Sequence, residues 1–166
     1  MSEPRKRWTE MEERNDTHEG GCMCGAVRYQ VSGKPLWVGY CHCRSCRRHS
    51  GAPVVTFAAF KASQVVFSKG QRRIYNSSPG VSRAFCGACG TPLTWEGQSK
   101  LPERGHVIEF HISTLDEPET FRPTNHVFYP AKLPWFDVAD DLPRYVGMDY
   151  NSEICGHGPA NADLPK

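Results

Sequence analysis

The sequence predicts a mainly β domain, and three observations support this fold class. Thirteen Pro and fifteen Gly are spread along the 166 residues and divide the chain into short segments. Several of these segments are rich in Val, Phe, Tyr, Thr and Ile, the residue types that favour strands. They recur at intervals of roughly ten residues, a spacing typical of an all-β sandwich or barrel-like fold.

The predicted strands follow one another between residues 26 and 129. Apolar and polar side chains alternate in the first segment, and they alternate again at residues 106–112. Lys69-Gly70 ends one strand, and Ser78-Pro79-Gly80 forms the turn after another. A single helical turn is expected at residues 44–49. The predicted strands are residues 26–31, 36–40, 54–60, 65–68, 73–75, 81–85, 92–96, 106–112 and 125–129.

The composition predicts one globular domain with a tail at each end. Apolar residues make up 39% of the chain, which is too many for a disordered protein. No run approaches the ~18 apolar residues of a membrane-spanning helix. Residues 1–19 are charged and lack the apolar core of a secretory signal, so they are expected to form a flexible tail of a cytoplasmic protein. The domain is expected at residues 20–146, and residues 147–166 are expected to be loose.

Two short-spaced cysteine pairs lie about sixty residues apart, and their spacing indicates a zinc site. The pairs are Cys22-Met23-Cys24-Gly25 and Cys86-Gly87-Ala88-Cys89-Gly90. A tight turn can bring the two sulfurs of each pair to one side, and the following glycine lets the backbone curl. Four thiolates complete a tetrahedral zinc shell and make a structural site that contributes to folding. The alternative is that these are buried free cysteines of a core.

A third cysteine group lies between the two pairs and has three sulfurs within six residues, at Cys41, Cys43 and Cys46. Three ligands leave a tetrahedral ion one short, which is the pattern of a catalytic zinc with an exchangeable position. One alternative is a second structural zinc with His42, His49 or Cys155 as the fourth ligand. Another is an oxidisable dithiol formed by Cys41 and Cys43.

Basic residues surround the third group at Arg44, Arg47 and Arg48. They could offset excess thiolate charge or bind an anionic substrate, and the alternative for each is a solvated surface charge. The formal net charge is +2 with neutral thiols, and seven thiolates on two zinc ions would bring it to about −1. Such a small charge argues against broad nucleic-acid binding.

Three segments resemble the glutathione-dependent formaldehyde-activating enzyme family, which includes centromere protein V-like domains. They are GGCMCGAVRYQV at 20–31, YCHCRSCRRHSGAP at 40–53 and FCGACGTPLTW at 85–95. Weaker likeness follows in STLDEP at 113–118 and HVFYPAKLPWFDVADDLPRY at 126–145. Cys155 and the N-terminal tail lie outside the family pattern.

The resemblance implies an Mss4-like β-tent, in which short antiparallel sheets are pinned by a structural zinc. It implies that Cys22, Cys24, Cys86 and Cys89 hold that zinc. It also implies that Cys41, Cys43 and Cys46 hold a catalytic zinc. The activity implied is that of a carbon-sulfur lyase resembling S-(hydroxymethyl)glutathione synthase, acting on a small thiol, an aldehyde or their adduct, with glutathione and formaldehyde as the family's pair.

An open position on zinc can hold a thiol as thiolate or polarise a carbonyl oxygen. Three thiolate ligands soften the Lewis acidity of the ion, which favours thiol binding or modest carbonyl activation. Four histidines are candidates for proton transfer, each with a structural role as the alternative: His42, His49, His111 and His126. Six aromatic residues could line a pocket or belong to the core: Trp37, Phe57, Phe60, Trp95, Phe128 and Trp135.

Two other functions fit parts of the pattern. A non-enzymatic zinc module for a protein or nucleic-acid partner would need the first cysteine set but has no need of an open three-sulfur site. A sulfoxide reductase of the methionine B type shares the implied fold, but it uses two CxxC pairs and a separate catalytic cysteine. The third cysteine group therefore favours the zinc enzyme.

Overall fold

The computed structural model describes residues 16–148. Within this range the chain forms ten β-strands and one α-helix, joined by turns and short 3-10 helices. The strands are β1 Thr17–Gly21, β2 Arg28–Ser32, β3 Trp37–Cys41, β4 Val55–Lys61, β5 Val65–Lys69, β6 Arg72–Ser78, β7 Val81–Cys86, β8 Pro92–Gln98, β9 His106–His111 and β10 His126–Val127. The helix, α1, is Arg44–Ser50, and the 3-10 helices are Ala62–Gln64, Pro102–Arg104, Ile112–Thr114, Pro118–Thr120 and Tyr129–Ala131. None of these helices is long and apolar enough to span a membrane.

The strands form two sheets. The smaller has the order β1-β2-β5, and the larger has the order β10-β3-β4-β9-β8-β7-β6. All neighbouring strands are antiparallel except β10 and β3, which are parallel. The mainly β fold of short, largely antiparallel sheets that the resemblance implies is therefore confirmed.

The larger sheet separates two hydrophobic cores, because its central strands are buried on both faces. Phe60 and Phe110 belong to the first core, where they pack with residues of the smaller sheet such as Tyr29. The rings of Tyr29 and Phe110 stack with their centroids 4.0 Å apart. Phe57 is also on β4, but its side chain points to the opposite face of the sheet from Phe60. It belongs to the second core together with Trp37. Alternation along a strand thus sends neighbouring residues to different cores.

The two cysteine sets contact opposite cores. Cys22 and Cys86 belong to the first core, whereas Cys41 and Cys46 belong to the second. The sheet consequently keeps the two candidate metal centres apart and gives each its own surroundings.

All nine predicted strands and the predicted helix have counterparts in the structure. β1 was not predicted, because its sequence THEGG is polar and glycine-rich and has no alternation of apolar residues. It places ordered structure at Thr17, inside the segment expected to be a tail, since β2 supplies its hydrogen-bonding partner. Met148 packs against the second core, so order also extends slightly past residue 146. The rest of the two predicted tails, and Cys155, lie outside the described residues.

Candidate metal centres

The first cysteine set comes together where the end of β1 meets the turn between β7 and β8. The sulfurs of Cys22, Cys24, Cys86 and Cys89 all lie within 4.8 Å of one another. Each pair sits in a tight turn, closed by hydrogen bonds from Gly25 N to Cys22 O and from Gly90 N to Cys86 O. Both glycines have a positive φ, 71° and 76°, so the turns use the conformation that glycine tolerates best. The sequence prediction that these glycines let the chain curl is confirmed.

Hydrogen bonds to the sulfurs of this set favour the thiolate form of some of its cysteines. The Val27 amide donates to Cys22 Sγ at 3.2 Å, and the Thr91 hydroxyl lies 3.1 Å from Cys89 Sγ. The Thr91 contact lowers the pKa of Cys89 to about 5. A hydrogen bond from the Ala26 amide favours the Cys24 thiolate, but the neighbouring thiols outweigh it and raise the pKa of Cys24 to about 11. Four converging sulfurs that cannot all ionise alone form a donor set that fits Zn²⁺.

The second set is formed by the end of β3 and the start of α1. Cys41 ends β3, Cys43 is the N-cap of α1, and Cys46 lies in the first turn of the helix. Cys43 Sγ accepts a hydrogen bond from the Cys46 amide at 3.2 Å, which caps the helix and fixes the position of the Cys43 sulfur. The three sulfurs lie within 4.8 Å of one another, and all three side chains are buried or half-buried.

The thiols of the second set oppose one another's ionisation. Hydrogen bonds from Cys41 and Cys46 lower the pKa of Cys43 to about 3. Hydrogen bonding to Cys43 and Cys46, followed by burial, raises the pKa of Cys41 well above its usual value. One thiolate therefore forms readily and the others do not, unless a cation joins them. This donor set also fits a thiophilic ion such as Zn²⁺.

The structure bears on the alternatives for the second set. Within residues 16–148, the ligand atoms close enough to share an ion with Cys41, Cys43 and Cys46 include no histidine nitrogen. His42 Nε2 is instead 2.9 Å from His126 Nδ1. The seven cysteines of the described range are free, so Cys41 and Cys43 form no disulfide here. Three sulfurs thus stand without a fourth protein ligand in the described range.

His42 and His126 belong to a buried hydrogen-bonded chain. His126 Nε2 lies 3.1 and 3.2 Å from the two carboxylate oxygens of Asp140. Burial lowers the pKa of His42 to about 4, and the charge of His126 lowers it further. The chain joins the loop that carries Cys41 and Cys43 to the segment after β10. Both histidines have structural partners, and Asp140 was not identified from the sequence.

The three arginines near the second set differ in their surroundings. Arg47 donates to the backbone carbonyls of His42 at 3.1 Å and Ala131 at 3.0 Å, and so ties α1 to the C-terminal segment. Arg44 and Arg48 are exposed on α1. Their predicted role in binding substrate stays a prediction, and of the three it suits Arg44 and Arg48 better.

Two charged residues that the sequence analysis missed lie beside the second set. The strand register forms one row across the sheet, from Trp37 through Ala59, Glu109 and Trp95 to Arg83. Both nitrogens at the end of the Arg83 guanidinium donate to Cys46 Sγ, at 3.6 and 3.7 Å. The sequence did contain a signal for Glu109. In the alternating segment 106–112 it shares a face with the apolar Val107, so a charged residue stands at an inward position.

Glu109 is a buried carboxyl held by an indole. Trp37 Nε1 donates to Glu109 Oε1 at 3.4 Å. Burial raises the pKa of Glu109 to about 8, against the hydrogen bond from Trp37, and a negative charge on Cys43 raises it further. The carboxyl is therefore largely protonated at neutral pH.

His49 and His111 complete the polar surroundings of the second set. Their ring centroids are 5.6 Å apart. Burial lowers the pKa of His111 to about 3, and repulsion from a protonated His49 and from Arg83 adds to this effect. Burial and Arg83 also lower the pKa of His49. Both rings are therefore neutral at neutral pH, and His49 Nδ1 and His111 Nε2 are buried without a hydrogen-bond partner among residues 16–148.

The six aromatic candidates divide between the two faces and the surface. Those that pack in or against the second core are Trp37, Phe57, Trp95 and Phe128. Phe60 belongs to the first core, on the other side of the sheet. Trp135 is 74% exposed. The four aromatic side chains in the first group give the second cysteine set an apolar surround.

Comparison with known proteins shows a family model, a relative and a solved structure to which this chain is similar. The family model described as glutathione-dependent formaldehyde-activating enzyme matches residues 17–131, which span both cysteine sets. A Halomonas elongata protein, provisionally named a glutathione-dependent formaldehyde-activating enzyme, is 30% identical over 130 residues, covering 72% of this chain and 80% of that protein. A crystal structure of a Rhodobacter sphaeroides protein aligns at 24% identity with a TM-score of 0.47, over 59% of this chain and 87% of that one.

Proposed function

Because the chain belongs to the glutathione-dependent formaldehyde-activating enzyme family, we propose that it joins a small thiol to a small aldehyde and cleaves the adduct in reverse. Glutathione and formaldehyde are the proposed pair. The observation that carries the proposal is the second cysteine set, whose three sulfurs converge without a fourth protein ligand in the described range. A purely structural metal site would close its shell with protein atoms.

The proposed reaction balances without an oxidant or reductant. The thiol sulfur forms a bond to the carbonyl carbon, and the π bond of the carbonyl breaks. The proton of the thiol ends on the carbonyl oxygen, which becomes the hydroxyl of the adduct. The protein must therefore bind a thiol, orient an aldehyde and move one proton.

The proposed cofactors are two zinc ions. Cys22, Cys24, Cys86 and Cys89 would hold a structural ion, and Cys41, Cys43 and Cys46 would hold the other. Zinc bound by three thiolates supplies a position that can hold a thiol as thiolate or polarise a carbonyl. The thiolate ligands of both sets suit this metal. Four sulfurs would make a closed site, and three would leave one position open.

Glu109 is the residue proposed to carry the proton. Its Oε1 accepts the hydrogen bond from Trp37, which leaves Oε2 to hold the proton of the neutral carboxyl. With a pKa of about 8, the group can donate and recover a proton near neutral pH. The apolar surround from Phe57 and Trp95 would exclude water from the adduct.

Exposed cations on α1 are proposed to bind the substrate's carboxylates. Arg44 and Arg48 lie on the same helix as Cys46 and are exposed to solvent. A guanidinium pairs well with a carboxylate such as those of glutathione. Because Arg47 already donates to two carbonyls, it is proposed to hold α1 in place.

The experiment measures how fast the zinc-loaded protein forms and exchanges the adduct, using ¹³C-formaldehyde and glutathione in exchange NMR. We expect acceleration over the spontaneous reaction, and we expect Cys43→Ser to abolish it. Cys155→Ser tests the alternative in which Cys155 is the fourth ligand of this set, and an open site should keep the rate in this variant. Calorimetry with glutathione should show binding that Cys43→Ser removes. If the loaded protein neither binds glutathione nor accelerates the reaction, the enzyme proposal fails and the binding-module alternative replaces it.

A further inference from the structure

Arg83 lies in an unusual position for a charged side chain. It is on β7, only 5% exposed, and both terminal guanidinium nitrogens point at a single sulfur, Cys46 Sγ. Its Nε is buried and has no hydrogen-bond partner in the described part of the chain. The sulfur of Cys46 is therefore the acceptor around which this guanidinium is placed.

A guanidinium stays charged in proteins, and a buried charge is costly unless an opposite charge is near. Three titratable side chains that interact with Arg83, one on α1 and two on β9, are largely neutral at neutral pH. Burial keeps Glu109 protonated, and burial keeps His49 and His111 unprotonated. The thiolates of Cys43 and Cys46, in the second cysteine set, carry charges opposite in sign to that of Arg83 and interact with it.

The charge of that set has a simple balance when a divalent cation is bound. Three thiolates and one divalent ion leave a single net negative charge, which one buried cation cancels. The first set differs, because Cys24 is exposed and Cys89 is half-exposed, so water can screen its excess charge. The second set is too buried for solvent to do the same.

We propose that Arg83 is the built-in counter-ion of the three-cysteine site, acting on its metal through Cys46. This role rests on the metal site of the proposed function and adds to it a residue that none of the sequence motifs contains. By cancelling the excess charge, Arg83 lets the site retain a divalent ion with only three protein ligands. It also lowers the electrostatic cost of adding a negatively charged thiolate as the fourth ligand.

Three variants separate charge from structure. Arg83→Gln removes the charge and keeps a polar side chain, and Arg83→Lys keeps the charge without the two-pronged geometry. Arg72→Gln is the matched control, because Arg72 is a partly buried arginine of the same sheet that pairs with Glu96 instead of a cysteine. Each zinc-loaded protein is titrated with a chromophoric chelator, and the loss of the weaker and tighter ions is followed separately.

We expect Arg83→Gln to lower the zinc affinity of the three-cysteine site, the weaker of the two, about 10- to 100-fold. The affinity of the four-cysteine site should be unchanged. Arg83→Lys should stay much closer to the wild type, and Arg72→Gln should match it at both sites. Substitution with Co²⁺ gives a second readout, since the thiolate-to-cobalt bands of the weaker site should shift in Arg83→Gln only.

Wild-type metal affinity in a folded Arg83→Gln protein would overturn the proposal. If that variant does not fold, Arg83→Lys decides alone: retained affinity supports a charge role, and loss of the weaker ion in a folded protein contradicts it. A wild-type protein that binds fewer than two ions would count against the proposed metal sites themselves. Two ions with no effect at Arg83 would count only against the counter-ion.

Discussion

His42 Nε2 lies 2.9 Å from His126 Nδ1, and the two imidazole rings stack with their centroids 5.2 Å apart. Asp140 holds the far nitrogen of His126. The contact spans 84 residues of sequence and joins the cysteine loop to the C-terminal segment. Because His42 is 1% exposed, water could not replace His126 as the partner of His42 Nε2 if these hydrogen bonds were lost.

We therefore predict that Asp140→Asn destabilises the fold by about 1 to 3 kcal/mol, the cost of leaving buried polar groups poorly paired. Urea unfolding of the zinc-loaded protein measures the change. Asp141→Asn is the control, because Asp141 is adjacent in sequence but exposed. Equal stability of the two variants would mean that the His42–His126–Asp140 chain contributes nothing to the fold.

The strands were predictable because alternation depends only on neighbouring residues. The period of two in residues 106–112 identified β9, and it also sets which side chains share a face. β1 escaped detection because its pairing with β2, rather than its own sequence, makes THEGG a strand. Local pattern thus predicts strands that carry a hydrophobic face and misses those defined by their partner.

The cysteine sets were predictable, but their surroundings were not. Short spacing forces Cys41, Cys43 and Cys46 together in nearly any fold, so sequence alone brings the sulfurs near one another. Arg83 reaches Cys46 across 37 residues through the order and register of β3, β4, β9, β8 and β7. Register depends on pairing between strands that are far apart in the sequence, so it could not be predicted from the sequence alone.

The pair Arg72–Glu96 predicts a dependence of stability on pH. Burial alone would raise the pKa of Glu96, but the hydrogen bonds from Arg72 and Thr94 outweigh it and lower the pKa. A lowered pKa in the folded state means that the ion pair stabilises above the ordinary Glu range and that this contribution disappears as the pH falls through the folded pKa. The free energy of unfolding of wild type minus Glu96→Gln should therefore be positive near pH 7 and shrink below about pH 4.5.

Urea unfolding at a series of pH values checks this difference. Protonation of the cysteines weakens metal binding in both proteins alike, so subtraction isolates the Glu96 contribution. Glu103→Gln, at an exposed position, is the control and should show no such difference. A gap that widens toward acid pH would contradict the assigned pKa direction.

The two cysteine sets should respond differently to the same substitution. Cys86→Ser removes the sulfur of a residue that is 1% exposed and whose bound ion would tie the β7–β8 turn to the end of β1, so we expect loss of folding or aggregation. Cys43→Ser should leave a folded protein with one zinc, because the Cys43 side chain caps only α1 and serine can replace it as a cap. Circular dichroism and elemental analysis distinguish the two results. Equal damage to folding would indicate that both sites are structural.

Glu109→Gln tests the proposed proton carrier while preserving the shape of the side chain. The amide can still accept the hydrogen bond from Trp37, so the fold and both metal sites should be unchanged. It cannot carry a proton, and a positioned acid–base group contributes typically about 10²- to 10⁴-fold to a rate. We expect the catalysed part of the adduct exchange to fall within that range, with glutathione affinity and zinc content close to the wild type. His49→Gln and His111→Gln are the comparison variants, because both rings lie near the same cysteine set and are neutral. If either histidine variant loses the rate while Glu109→Gln retains it, the proton carrier is that histidine and the role assigned to Glu109 is wrong.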